Sequence, residues 1–307
     1  MNSRLETRGG RWGAALLPLF AALVLAGCAT APAELPTFNL PAQFKEQAAD
    51  TQGSWTRAQP AEAQPRGDWW RSFNDPVLDQ LIERADARNT SIQAAAARLA
   101  EARALARNTD ADRAPQIGLG AGALRSAGLD RNQSPRPSTL VRAGFDFSYE
   151  LDLFGKLSGA SDAARLDADA RAGLLQSTRL LVQAEVAQTY LALRAVDAER
   201  VLVRDTVEAY RDTLRLTQSR ERAGDVAELD VARVETEVAS NESDAMTLDR
   251  RRAELEHALA VLVGDLASDF DVGAGEWSTA LPTIPPGVPA TVLTRRPDIS
   301  AAQQSVL

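Results

Sequence analysis

The sequence predicts a mainly α-helical chain that carries a single β-hairpin and long antiparallel helical hairpins. Three observations lead there. From Val141 to Leu153 every odd position is apolar or aromatic, and most even positions are polar or acidic. That period of two gives a strand one apolar and one polar face. No proline interrupts the chain from Lys156 until Pro282, and 157–223 consists almost wholly of helix formers. Gly224-Asp225 then breaks this run, and a second apolar-periodic run returns to a stop at Gly264. Aromatics are only 5% of the chain while alanine, leucine, arginine and glutamate abound, a composition of long helices.

The elements follow in order. Arg4, Arg8 and Arg11 precede an apolar stretch, Gly13 to Gly27, that is too short to span a bilayer comfortably and ends in Leu25-Ala26-Gly27-Cys28. This reads as a lipoprotein signal over 1–27, with Cys28 the lipidated first residue of the mature protein, carrying a diacylglycerol and an N-acyl chain. Ala29 and Thr30 include no aspartate, so sorting to the outer membrane is expected. Residues 28–67 are rich in Pro, Ala and Gln and read as a tether. Asp75 is placed as an N-cap with Pro76 at the first helical position, opening a helix that continues past Leu99 to about Asn108.

Residues 116–125 form a second alternating segment, with Ile117, Leu119, Ala121 and Ala123 on one face and Gly118, Gly120 and Gly122 on the other. A polar loop, Ser126 to Thr139, joins it to the strand at 141–153. Two strands of this length with a long polar loop suit an outer-membrane hairpin, with a hairpin in a soluble sheet as the alternative. The long helix over 157–223 spans roughly 100 Å at about 1.5 Å per residue, so it must pack laterally against similar helices. A coiled-coil-like spacing of seven runs through Leu174, Leu181, Ala195, Leu202, Ala209, Leu216 and Ala223, with Gln188 the polar exception. Gly224 is suited to a left-handed C-cap and Asp225 to capping the returning helix. Residues 265–290 are rich in Gly, Pro and Asp, and Arg295-Arg296-Pro297-Asp298 opens a last helix.

Several function classes lose support. The formal charge is −8, and removal of the signal, with three arginines and one glutamate, leaves the mature chain near −10, which argues against nucleic acid as a partner. The single histidine, His257, excludes a multi-histidine metal site and leaves no base for a nucleophile, so no catalytic residue and no enzyme activity are expected. The run G-L-G-A-G-A at 118–123 opens no helix and lacks an acidic partner, so it is not a nucleotide loop. No cofactor is expected. With one cysteine there is no intrachain disulfide.

The segments W-W-R-S-F-N-D-P-V-L-D-Q-L-I at 69–82, S-Y-E-L-D-L-F-G-K at 148–156, R-E-R-A-G-D-V-A-E-L-D-V at 220–231, A-L-A-V-L-V-G at 258–264 and L-T-R-R-P-D-I at 293–299 resemble the outer-membrane efflux protein family. These are the TolC-like channels, and the likeness is to the lipoprotein branch typified by OprM and NodT. The resemblance implies a homotrimer: helical hairpins forming an α-barrel across the periplasm, and strands contributed to an oligomeric outer-membrane β-barrel. It also implies protomers of two similar halves. On that basis 68–290 is the first repeat, with a helix, a β-hairpin at 116–153, a helical hairpin at 156–263 and an equatorial linker; 291–307 begins a second, and the sequence is expected to be part of a longer protein.

The implied function is passive conduction in a tripartite efflux system, with a periplasmic adaptor, an inner-membrane pump and outer-membrane lipid as partners. A periplasmic coiled-coil adaptor or scaffold lipoprotein, or a nonfunctional half-channel, is the alternative. Asp146, Glu150 and Asp152 are the candidates for lining an acidic pore. Phe145, Phe147, Tyr149 and Phe154 are expected to face lipid. By resemblance the turn holding Arg220, Gly224, Asp225 and Asp230 is the periplasmic tip, where the channel closes and the adaptor docks, and Arg220 with Asp230 is the preferred gate or docking pair.

Overall fold

A computed structural model describes residues 67–126, 137–275 and 295–307. The expected signal, Cys28, the tether, most of the hairpin loop and the part of the linker beyond residue 275 lie outside the described residues. After a 3-10 turn, Trp69–Phe73, come α1 (Pro76–Arg88), α2 (Thr90–Ala111), β1 (Gln116–Ser126), β2 (Ser138–Ser148), α3 (Lys156–Arg222), α4 (Glu228–Val263) and α5 (Pro297–Val306). The chain is mainly helical with a two-stranded antiparallel sheet.

Helix boundaries follow local chemistry. The Asp75 carboxylate accepts from the amides of Val77 and Leu78 at 2.9 and 3.2 Å, with Pro76 behind it, as its sequence position predicts. The expected single helix to residue 108 is instead broken at Asn89. This residue is extended, its amide nitrogen donates to Ala85, and its side-chain oxygen accepts from Ser91 and Ile92 at 2.9 and 3.2 Å. One asparagine therefore ends α1 and starts α2. Its side-chain NH₂ also donates to the Leu262 carbonyl of α4 at 2.8 Å.

The long helix α3 is uninterrupted over 67 residues, about 100 Å of rise. Its end is a Schellman turn. Gly224, at φ 81°, donates to Glu221 and Asp225 donates to Arg220 at 2.8 and 2.9 Å. The same pair of bonds closes α4 around Gly264, at φ 76°. A β-carbon at either glycine would be strained in this left-handed region. The cap of α4 differs from expectation: Asp225 belongs to the preceding turn, the cap position is Ala227, and the Asp230 carboxylate reaches back to accept the Ala227 amide at 3.2 Å.

The described residues form two compact units. In the one formed by residues 100–170 and 303–307, the sheet accompanies the C-terminal half of α2 and the start of α3. Small buried residues line these helices there (Ala102, Ala106, Ser161, Ala168), and Asp110 accepts from Ser161 and Arg165 at 3.0 and 2.9 Å. The other unit holds residues 67–99, 171–275 and 295–302. Its apolar core joins Trp70, Leu78, Ile82 and Ile92 to Leu175, Val182, Val186 and Leu193 of α3 and to Leu259 and Val263 of α4. Antiparallel packing of α3 on α4 is marked by cross-helix pairs: Asp197 with Arg252, Arg200 with Asp249, and Arg211 with Glu242.

The seven-residue seam does not make this core. Leu181 and Leu202 are each 67% exposed and Leu216 is 62% exposed. The buried stripe, Leu175, Val182, Val186 and Leu193, lies about one residue further along, roughly 100° around the helix. Thus α3 has two apolar stripes, and only one is covered among the described residues.

Replacing Asn89 by alanine should destabilise the protein by about 2 kcal/mol, from loss of the cap and of the buried bond to Leu262. Asn89→Asp should recover the cap acceptors but not the donor to Leu262. Denaturant unfolding of the purified variants checks both, and equal stability of Asn89→Ala and the parent would refute the assignment.

Candidate functional site

The hairpin register pairs Ile117 with Phe147, Leu119 with Phe145, Ala121 with Ala143 and Ala123 with Val141. These residues form one continuous apolar face, and it is bare: Phe145 is 86% exposed and Leu119 80%. A patch of this kind in water is a binding or membrane surface rather than a solvated one. The opposite face carries Gly118 against Asp146, Gly120 against Gly144 and Gly122 against Arg142. Nearer the loop, Leu124 pairs with Leu140 and Ser126 with Ser138.

Of the three acidic candidates, only Asp146 stands on this polar face. The alternation continues to Leu153 in the sequence, but β2 ends at Ser148, so Glu150 and Asp152 are not on the strand. Backbone geometry is what the sequence pattern could not show. Glu150 pairs with Lys156 at 2.9 Å. Asp152 caps α3, accepting from the amides of Leu157 and Ser158 at 3.0 and 2.8 Å. The Ser158 side chain, then its amide and those of Leu157 and Lys156, hold the Asp152 carboxyl below its ordinary value. Gly155, at φ 73°, completes the turn. The segment 148–156 is therefore a strand-to-helix joint in which Glu150, Asp152 and Lys156 hold the turn. Tyr149 and Phe154 lie within this joint, exposed, while Phe145 and Phe147 lie on the apolar face.

At the α3–α4 turn the four named residues come together within one short stretch of chain. Arg220 contributes its carbonyl to the Schellman turn, and Asp230 is engaged with the Ala227 amide and, at 3.8 Å, with Arg233. No Arg220–Asp230 ion pair forms among the described residues. Short-range partners on the same helix occupy Asp230 first.

A buried charge network escaped the sequence. Asp197, 5% exposed, meets Arg252 at 2.8 Å and Arg194 and Arg200 at 3.3 Å. Arg194 also donates to Tyr190 and to the Gly273 carbonyl, and Tyr190 donates to Asp75 at 2.6 Å. Burial, followed by the Asp75 bond, pushes the Tyr190 hydroxyl up to about 12. Arg252 and Glu256 grip Val272 from both sides of its peptide. Residues 272–273 are thereby tied to the middle of the helical hairpin. The spacing of Arg194, Asp197 and Arg200 was visible in the sequence; their partner Arg252, on another helix, was not.

The hairpin, with one uncovered apolar face, is followed by a 67-residue helix that leaves an apolar stripe exposed among the described residues. The "Outer membrane efflux protein" family matches residues 81–265, more than half of the chain, and the chain belongs to that family. Among curated relatives, it is 32% identical to the pyoverdine export outer membrane protein OpmQ of Pseudomonas putida, over 80% of this chain and 54% of that one. It is 28% identical to the probable outer membrane lipoprotein SilC of Salmonella typhimurium, over 94% of this chain and 60% of that one. Among solved structures, the outer-membrane channel OprN superposes with a TM-score of 0.68 at 29% identity, covering 78% of this chain and 54% of OprN. VceC of Vibrio cholerae gives 0.67 at 26% identity, covering 79% and 59%. The chain thus spans a little over half the length of these relatives.

Two outcomes follow. Asp197→Ala leaves three guanidinium groups around an empty position and should cost about 3–5 kcal/mol in unfolding free energy, read by denaturant titration. The depressed Asp152 carboxyl favours the fold above its ordinary value of 3.8, and that contribution is lost as pH falls through the lower folded value. Hydrogen exchange at the Leu157 and Ser158 amides should therefore lose protection only below about pH 4, and Asp152→Asn should weaken it already at neutral pH.

Proposed function

We propose that this protein is an outer-membrane channel component of a tripartite efflux system, conducting small solutes passively. In this reading the apolar hairpin face meets lipid and the glycine-rich face borders the water-filled lumen of an oligomeric β-barrel. The long helices pack side by side with those of neighbouring copies, in a homotrimer, to form an α-barrel crossing the periplasm. The exposed stripe of Leu181, Leu202 and Leu216 supplies the lateral contact. The turn around Gly224, with Arg220, Asp225 and Asp230, is the end that meets a periplasmic adaptor and, through it, an inner-membrane pump. Acyl chains on Cys28 add an anchor, and the barrel dominates membrane affinity. No cofactor or catalytic residue takes part.

The single observation that supports this most strongly is the hairpin: eight apolar side chains share one uncovered face, while the central part of the other is glycine with Arg142 and Asp146. A two-stranded ribbon of that kind is not stable alone in water. It becomes stable when lipid covers one face and neighbouring strands close both edges. The relatives' names include pyoverdine and toluene export and cation efflux. Such varied cargo fits a conduit whose substrate choice is made by the pump.

The test is to purify the protein from outer membranes and add it to planar bilayers. Discrete conductance steps and heat-modifiable migration are expected. A protein released from membranes by salt and carbonate, and silent in bilayers, would instead be a peripheral scaffold. Cys28→Ala should abolish incorporation of labelled palmitate while leaving barrel insertion intact.

A further inference from the structure

The polar face of the hairpin is acidic in the sequence pattern but not in the structure. With Glu150 and Asp152 withdrawn into the joint, its central part holds one acid and one base. Asp146 stands opposite Gly118, Arg142 stands opposite Gly122, and the pair between them is Gly120 with Gly144. Four residues of strand separate the two charges, about 14 Å at about 3.4 Å per residue. Neither side chain has a hydrogen-bond or ion-pair partner among the described residues. The Asp146 carboxylate lies back across Gly118, where a β-carbon would collide with it. At Gly120, Gly122 and Gly144 a β-carbon would meet nothing, so no packing within the chain calls for glycine there. Among the described residues, this face of the thin wall projects only two charges, of opposite sign.

An unpaired charge on a wall facing lipid is costly, whereas on a wall facing a water-filled lumen it acts on whatever passes. Eight apolar residues occupy the other face, and Leu124 with Leu140 lie on this one only toward the loop, which leaves the central lumen side to Arg142 and Asp146. We propose that Arg142 and Asp146 set the charge selectivity of the conduit as two successive levels of opposite sign, separated by a glycine girdle. This rests on the hairpin being a channel wall. Arg142, nearer the loop, attracts anions and repels cations; Asp146, nearer the joint, does the reverse. An ion of either sign meets one favourable and one unfavourable level, so the unaltered channel discriminates little between potassium and chloride. Repeated around a barrel by each copy, the two residues form rings, and the removal of one ring unmasks the other.

The experiment is the reversal potential of single channels in a potassium chloride gradient at neutral pH. Arg142→Gln should raise the potassium-to-chloride permeability ratio about two- to fivefold, the scale expected for screened charges near a pore wall. Asp146→Asn should lower it by a similar factor, and the double variant should return close to the parent. Unchanged ratios in both single variants, with conductance intact, would overturn the proposal and leave the channel reading standing. No conductance from the parent protein would overturn the channel reading itself.

Because a charge change at either level could impair insertion, thiol labelling provides a second test. The only native cysteine is Cys28, so the parent protein gives the background. A water-soluble, membrane-impermeant methanethiosulfonate should modify Arg142→Cys in outer membranes and spare Val141→Cys, its neighbour on the apolar face. Modification of 141 with protection of 142 would invert the two faces and refute the assignment.

Discussion

The rest of the structure depends on how a helix of 67 residues is covered along its sides. Such a helix cannot fold back on itself, and its propensity alone supplies little stability, so each stretch needs a lateral partner. In α3 the stripe through Leu175, Val182, Val186 and Leu193 finds α1, α2 and α4 within the chain. The stripe through Leu181, Leu202 and Leu216 finds none among the described residues. Two apolar stripes roughly 100° apart are what a helix needs when it stands in a wall, with one neighbour from its own chain and another from elsewhere. The alanines between the leucines allow that approach to be close.

The hairpin poses the same problem in two dimensions. Its apolar face is uncovered and each strand has one unpaired edge. In water both are liabilities, one inviting aggregation through its surface and the other through its backbone. A bilayer removes the first and closure with neighbouring strands removes the second. Helix and hairpin thus share one physical condition, an apolar face left uncovered among the described residues. The family to which the chain belongs is that of the outer membrane efflux proteins.

Between these two elements, charge is used for geometry more than for chemistry. Asp75 and Asn89 start helices, Asp152 starts the longest one, and Asp230 reaches back to the amide that opens the return helix. The buried Asp197 gathers three arginines and, through Arg194 and Arg252, secures the backbone at Val272 and Gly273. Buried ion pairs contribute little net stability against apolar substitutes, but they penalise every arrangement that separates them. At this position they define where the segment leaving α4 must lie.

Local pattern by itself determined the helical class, the hairpin, the ends of α3 and α4 at Gly224 and Gly264, and the cap at Asp75. Each depends on residues within a few positions of one another, where periodicity, backbone freedom and capping act directly. The break at Asn89 was also legible, in an Asn-Thr-Ser run, yet the apolar period continues across it and hides it. The tertiary structure alone decided which of two stripes on α3 is buried, because an amphipathic pattern states that a face is apolar without stating what covers it. It alone withdrew Glu150 and Asp152 from the hairpin face, since alternation in sequence persists after the backbone has left the strand. It alone brought Arg252 to Asp197, a contact between residues on separate helices that no spacing encodes. The candidate site was readable as composition, and its charge balance emerged only when register set Asp146 and Arg142 against glycines.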